Sequence, residues 1–137
     1  MKSASLLIFV LWFGLHSANA QVGYSRDEVI SKFGNDFFKT GVSDIGEQYI
    51  IYKMQDTSAS GIYTKTMGFY FKKSESGTLY CNEQFIMEPL SELKKWVDYL
   101  NGKFEKISEK EYRDKASKII YRVSIIDNQC SVRIWYE

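Results

Sequence analysis

Residues 6–15 are the longest apolar run in the chain, and the shortness of that run limits what the rest can become. A helix needs about twenty apolar residues to cross the hydrocarbon core of a bilayer, and no later segment comes near that length. Lys2 precedes the run, and Ser17-Ala18-Asn19-Ala20 follows it, with small residues at the −3 and −1 positions of a cut after Ala20. This order is that of a secretory signal peptide, so residues 1–20 are read as a leader removed on export. Residues 21–137 are then one domain with one core. No Cys follows the apolar run, so the lipid-attachment site of a bacterial lipoprotein is missing. The expected location is a periplasm or the medium outside the cell.

Removing the leader removes His16, the only histidine. Without an imidazole, Ser-His-Asp and Cys-His nucleophile systems, histidine general bases and histidine-ligated zinc are all excluded within one chain. The 18 Lys and Arg residues of the whole chain face 17 Asp and Glu, and Lys2 leaves with the leader, so the remaining formal charge is zero. That balance gives no reason to expect nucleic acid as a partner. No cofactor and no metal is expected. Cys81 and Cys130 enter an oxidising compartment, where two readings stand: a disulfide, or two separately buried thiols acting as small hydrophobes.

Ser25-Arg26-Asp27-Glu28 has the form of a capping box, and Val29, Ile30 and Phe33 lie on one helical face before Gly34. A short helix over residues 26–33 follows. Residues 35–47 read as a loop that tucks in one aromatic, residues 48–53 as a strand, and residues 54–61 as a mobile polar loop. Residues 64–73 and 78–88 form a hairpin over Ser74-Glu75-Ser76-Gly77. The only proline, Pro89, opens a second helix whose apolar stripe is Leu90, Leu93, Trp96, Val97 and Leu100. Residues 103–108 read as a short strand, 109–117 as a charged loop, and 118–126 with 129–136 as a closing hairpin over Asp127-Asn128.

The resulting order is α-β-β-β-α-β-β-β. The expected fold is α+β: a two-layer sandwich in which an antiparallel sheet of five to six strands carries two helices on one face. Alternation along the strands aims Met67, Phe69, Phe71, Leu79, Phe85, Tyr121, Val123, Ile125, Val132 and Ile134 at the helices. The complementary phase places Tyr70, Tyr80, Ile86, Arg122, Arg133 and Trp135 on the far face. Tyr, Trp and Arg combine rigid area with hydrogen bonding and are enriched at interface hot spots, so Tyr70, Tyr80, Arg122, Arg133 and Trp135 are the candidate binding residues. Aromatic residues also stabilise cross-strand pairs without any ligand.

Other motifs are discounted. Asp56-Thr57-Ser58-Ala59-Ser60-Gly61 copies half an EF-hand loop, but the twelfth position is Met67, which cannot ligate calcium. Ser91-Glu92-Leu93-Lys94 and Lys39-Thr40-Gly41 match two elements of penicillin-interacting serine enzymes in reversed order and without the third. A glycosidase pair drawn from Glu83, Glu88, Glu105 and Glu109 needs a cleft and a defined separation, and the charges are spread evenly along the chain.

The segment over residues 23–34, with Gly23, Ser25, Glu28, Val29, Phe33 and Gly34 at the matching positions, resembles the helix-opening motif of small exported bacterial domains with the β-lactamase-inhibitor-protein-like fold, including outer-membrane assembly lipoproteins. The resemblance implies helices layered on an antiparallel sheet and a role in binding another protein. It covers twelve residues of a structural helix, so it carries over no functional residue, and the lipidated Cys of the lipoproteins is absent here. The expected function is a secreted or periplasmic non-enzymatic module binding a protein or cell-envelope component. The alternative is a small carboxylate-dependent hydrolase acting on envelope or glycan substrates.

Overall fold

The computed structural model describes residues 20–137. The leader assignment rests on residues 1–19, which lie outside the described residues. Among those described, no helix is long and apolar enough to cross a membrane.

Ser25 caps helix α1 (Arg26–Phe33), its hydroxyl accepting the Glu28 amide at 3.1 Å. The helix ends at Gly34, whose φ of +91° suits a residue without Cβ. The chain then runs through β1 (Lys39–Val42), β2 (Gln48–Ser58), β3 (Gly61–Lys73) and β4 (Leu79–Pro89). A 3₁₀ turn over Leu90–Glu92 leads into α2 (Leu93–Lys103), and β5 (Glu105–Lys106), β6 (Glu111–Asp114), β7 (Ile119–Ile126) and β8 (Gln129–Tyr136) complete the chain. Every pairing is antiparallel, in the order β1-β2-β3-β4-β8-β7-β6-β5. The closing hairpin turns over Asp127 and Asn128, both at positive φ (51° and 60°), the geometry of a two-residue type I′ turn.

The expected sandwich of five to six strands with two helices on one face is therefore wrong: the structure is one eight-stranded sheet with two short helices. Three segments read as loops are strands. Residues 39–42 and 111–114 pair near the sheet edges, and residues 54–58 continue β2 well beyond the core. β1 and residues 55–58 are mostly exposed and need no apolar alternation to pair, while β6 has a single buried side chain, Tyr112, and is too short to show an alternation. Seven inter-strand spacings make the sheet about 34 Å wide. The helices are only about 12 and 17 Å long, so they form a partial cover and not a second layer.

The core lies where side chains from the helices meet one phase of the strands. Phe33 of α1 packs against Tyr52 and Phe69 at ring-centroid distances of 5.6 and 5.4 Å. Phe104, just past α2, stacks on Tyr121 at 4.9 Å. Ile50, Phe69, Phe71, Cys81, Leu100, Val132 and Ile134 are fully buried.

The expected inward set fails at two positions. A bulge between Tyr70 and Phe71 sets Tyr70 opposite Glu83 and Phe71 opposite Cys81, so Asn82 is the extra residue and the phase of β4 slips by one. Beyond it Gln84, Ile86 and Glu88 face the core, and Phe85 turns outward across from Gly68. Ile86, expected on the far face, is buried; Phe85, expected in the core, is half-exposed. Ile125 keeps the core phase across from Cys130 but lies past the covered part of the sheet and is exposed.

Cys81 and Cys130 are both buried and both free. Cys130 lies across from Glu88, and β4 runs from Glu88 back to Cys81 over a distance of roughly 20 Å at 3.3 Å per residue. A disulfide needs Cα atoms within about 7 Å, so the two cannot pair.

Candidate functional site

The register brings Tyr70, Arg133 and Trp135 together on the sheet face away from the core. Glu83 of β4 is opposite both Tyr70 of β3 and Trp135 of β8. Arg133 donates to Glu83 Oε1 through its Nε at 2.8 Å and through a second guanidinium nitrogen, and its guanidinium lies 5.7 Å from the Trp135 ring. Tyr70 lies between Tyr49 and Phe85, at 5.9 and 6.1 Å, which makes an aromatic row across β2, β3 and β4. Burial and the Glu83 carboxylate push the Tyr70 phenol above its ordinary pKa, so it stands as a neutral hydroxyl.

Two depressions flank the Arg133–Glu83 pair. One, of about 380 Å³, is lined by Tyr70, Phe85, Met87, Ile126 and Ser131 together with the pair itself. The other, of about 340 Å³, is lined by Tyr80, Asn82, Trp135, Tyr136 and Lys72 beside the same pair. Tyr80 thus joins the site through the bulge, and the buried Asn82 Oδ1 in that depression has no hydrogen-bond partner among the described residues. Arg122 lines neither depression. It is directly across from Arg133 in the β7–β8 ladder and from Glu111 in the β6–β7 ladder, is exposed, and has no ion pair within 4 Å among the described residues.

All five residues read from the sequence therefore share one face. Glu83, Phe85 and Met87 of β4, which also line the depressions, were not legible because the bulge reverses the phase of that strand beyond Asn82. The only sequence signal for it is the polar pair Asn82-Glu83 breaking the apolar alternation of that strand.

A cleft of about 340 Å³ opens on the other side of the sheet, in the gap that the two short helices leave uncovered. Its walls are Phe33, Met54, Met67, Ile86, Trp96 and Ile134, and its polar groups include Gln84, Glu88, Glu92, Lys65 and Lys95. Both carboxylates are buried. Glu88 accepts the Trp96 indole N–H at 2.8 Å and the Tyr63 hydroxyl on its other oxygen. Glu92 is ion-paired with Lys95 at 3.1 Å. Of the four carboxylates considered for a glycosidase pair, only Glu88 reaches this cleft: Glu83 is on the far face with Arg133, Glu105 pairs with Arg113 and Lys115, and Glu109 is exposed. Among the described residues no group of His, Cys, Asp and Glu is arranged to hold a metal ion.

No family model, curated protein or solved structure matches the chain.

Proposed function

We propose that the protein is an exported, non-enzymatic binding module, and that the sheet face bearing Tyr70, Tyr80, Arg122, Arg133 and Trp135 receives a protein partner carrying an acidic side chain. The observation that carries this reading is Arg122 set opposite Arg133. Like charges directly across a ladder destabilise it. Glu83 neutralises Arg133, while Arg122, flanked by Glu111 on its other side, makes no close ion pair among the described residues and is exposed beside aromatic surface that offers rigid contact area. A carboxylate from a partner would give Arg122 the close ion pair that Glu111 does not make and would set that partner beside both depressions.

The test is cross-linking of the tagged protein in its native compartment, with the linked peptides mapped by mass spectrometry. A dominant partner linked near Arg122 and Trp135 and released by raised salt supports the reading. Alanine at Tyr70, Tyr80 and Trp135 together should abolish recovery while the folded signal persists, and Arg122→Glu alone should weaken it. Recovery unchanged in both variants would sink the idea.

The alternative, a carboxylate-dependent hydrolase, gains one supporting observation: Glu88 and Glu92 line a single cleft. Against it, both oxygens of Glu88 already accept hydrogen bonds and Glu92 is paired with a cation, which suits anchoring better than proton transfer. Turnover of a glycan in a substrate panel, lost in both Glu88→Gln and Glu92→Gln, would restore it.

A further inference from the structure

Gln21 and Gln84 make a reciprocal pair of a particular kind. The main-chain N–H of Gln21 donates to Gln84 Oε1 at 3.0 Å, and Gln84 Nε2 donates to Gln21 Oε1 at 3.0 Å. One carboxamide therefore holds both the main-chain nitrogen and the side-chain carbonyl of the same residue, so the Gln21 side chain is folded back toward its own nitrogen. Gln84 is 1% exposed, on the core phase of β4, and both residues line the cleft.

We propose that Gln21, once it is the first residue of the exported chain, closes to pyroglutamate and that Gln84 is the built receptor for the lactam; this rests on the export reading, in which the cut follows Ala20. In the closure the neutral α-amine attacks Cδ of its own side chain. The N–Cδ bond forms, the Cδ–Nε2 bond breaks, and Nε2 leaves as ammonia with one proton from the α-nitrogen. No oxidant or reductant is involved. The product is a five-membered lactam whose N–H and C=O sit side by side and cis. Those are the donor and acceptor that Gln84 already engages, and the pair closes into a ring of two hydrogen bonds between a lactam and a primary amide.

The surroundings favour the closed form over the open one. An uncyclised terminus brings an α-ammonium to the Gln84 carboxamide, at the edge of a mostly apolar cleft, and a charge at such a place needs a counter-ion. Glu88, two positions beyond Ile86 on the same phase of β4, is committed to Tyr63 and Trp96. The lactam removes the charge and keeps both hydrogen bonds. It also secures the segment behind it: Val22 is buried, the Gly23 amide donates to the Cys81 carbonyl at 2.8 Å, and the Cys81 amide donates to the Tyr24 carbonyl at 2.7 Å.

The test starts from the full chain with its own leader, exported and purified from the compartment it reaches, with its N-terminal peptide sequenced by mass spectrometry. A peptide beginning at residue 21, lighter by one ammonia and blocked to an aminopeptidase, is the expected result. A peptide beginning at residue 21 with an open Gln overturns the proposal and leaves the export reading intact. One beginning at Met1 overturns both, and one beginning at any other position overturns the pyroglutamate and the cut after Ala20 while leaving export standing. The docking claim has its own measurement, hydrogen exchange at the Gly23 amide. Gln21→Asn keeps a carboxamide but cannot form the five-membered ring, and Gln84→Glu keeps the shape but loses the donor to the lactam carbonyl. Each should cost the Gly23 amide at least about tenfold in protection. Protection unchanged in both variants overturns Gln84 as the receptor.

Discussion

Glu88, at the end of β4, accepts the indole N–H of Trp96 from α2 at 2.8 Å, and so ties the helix to the strand that precedes it across the 3₁₀ turn. The Tyr63 hydroxyl occupies the other oxygen from β3. A buried carboxylate without donors would be costly, and with two it becomes a joint between three elements.

Removing that joint exposes its cost. Glu88→Ala leaves the Trp96 N–H and the Tyr63 hydroxyl without their acceptor, and hydrogen bonds to charged groups are worth about 1.5–3 kcal/mol each. The expected loss is about 2–4 kcal/mol in urea unfolding, since partial exposure lets water recover some of it. Trp96→Phe should lose less, because Glu88 keeps Tyr63. An unfolding midpoint for Glu88→Ala equal to that of the parent would show that the joint contributes nothing.

Alkaline pH should weaken the fold through its tyrosines. Burial pushes the phenols of Tyr63, Tyr121, Tyr52 and Tyr70 upward, with the Glu88 hydrogen bond adding to the effect at Tyr63. The native state then holds protons that the unfolded chain gives up at its ordinary pKa of about 10. This contribution is complete below that pH and is lost as pH rises through the folded pKa values. Stability measured by urea titration should therefore fall from about pH 10 upward, and Tyr63→Phe should make the fall shallower. A flat profile through that range would contradict it.

The two thiols should be inert although the chain is read as exported. Burial pushes Cys81 up to about 12 and Cys130 up to about 11, in the latter case with help from Glu88 and Glu92. The thiolate is the reactive form, so iodoacetamide near pH 8 should leave the native protein unmodified and label both residues after unfolding in urea. Prompt labelling of either one in the native state would mean that its strand opens far more readily than its burial implies.

How far the sequence could be read follows from where side chains meet water. Helix α1 was legible to the residue because Ser25, Glu28 and Gly34 mark its ends chemically. The closing hairpin was legible because Asp127-Asn128 is a turn and apolar residues alternate on both sides of it. β1 and β6 were not, since short strands near an edge pair through main-chain groups and leave side chains such as Lys39, Thr40 and Arg113 free to be polar. The candidate face was legible in Tyr70, Tyr80, Arg122, Arg133 and Trp135. Glu83, Phe85 and Met87 hid behind one inserted position, Asn82, which moves every later side chain of β4 to the opposite side.

Phe85, moved outward in that way, lies over Gly68, where an added Cβ would come within 1.9 Å of Phe85 Cε1 and 2.4 Å of Cζ. The ring covers a stretch of β3 that has no side chain of its own, a pairing of aromatic and glycine that holds strand register. Gly68→Ala should therefore push the ring off its seat and cost about 1–3 kcal/mol as overpacking. Phe85→Ala in the same chain should recover part of that loss, giving a coupling of about 0.5–3 kcal/mol in a double-mutant cycle. The displaced ring would move into the depression it lines with Tyr70 and Arg133, so Gly68→Ala should also weaken partner recovery while the variant remains folded. Additive losses in the cycle would show that the ring and the glycine do not act together, and unweakened recovery would remove Phe85 from the binding face.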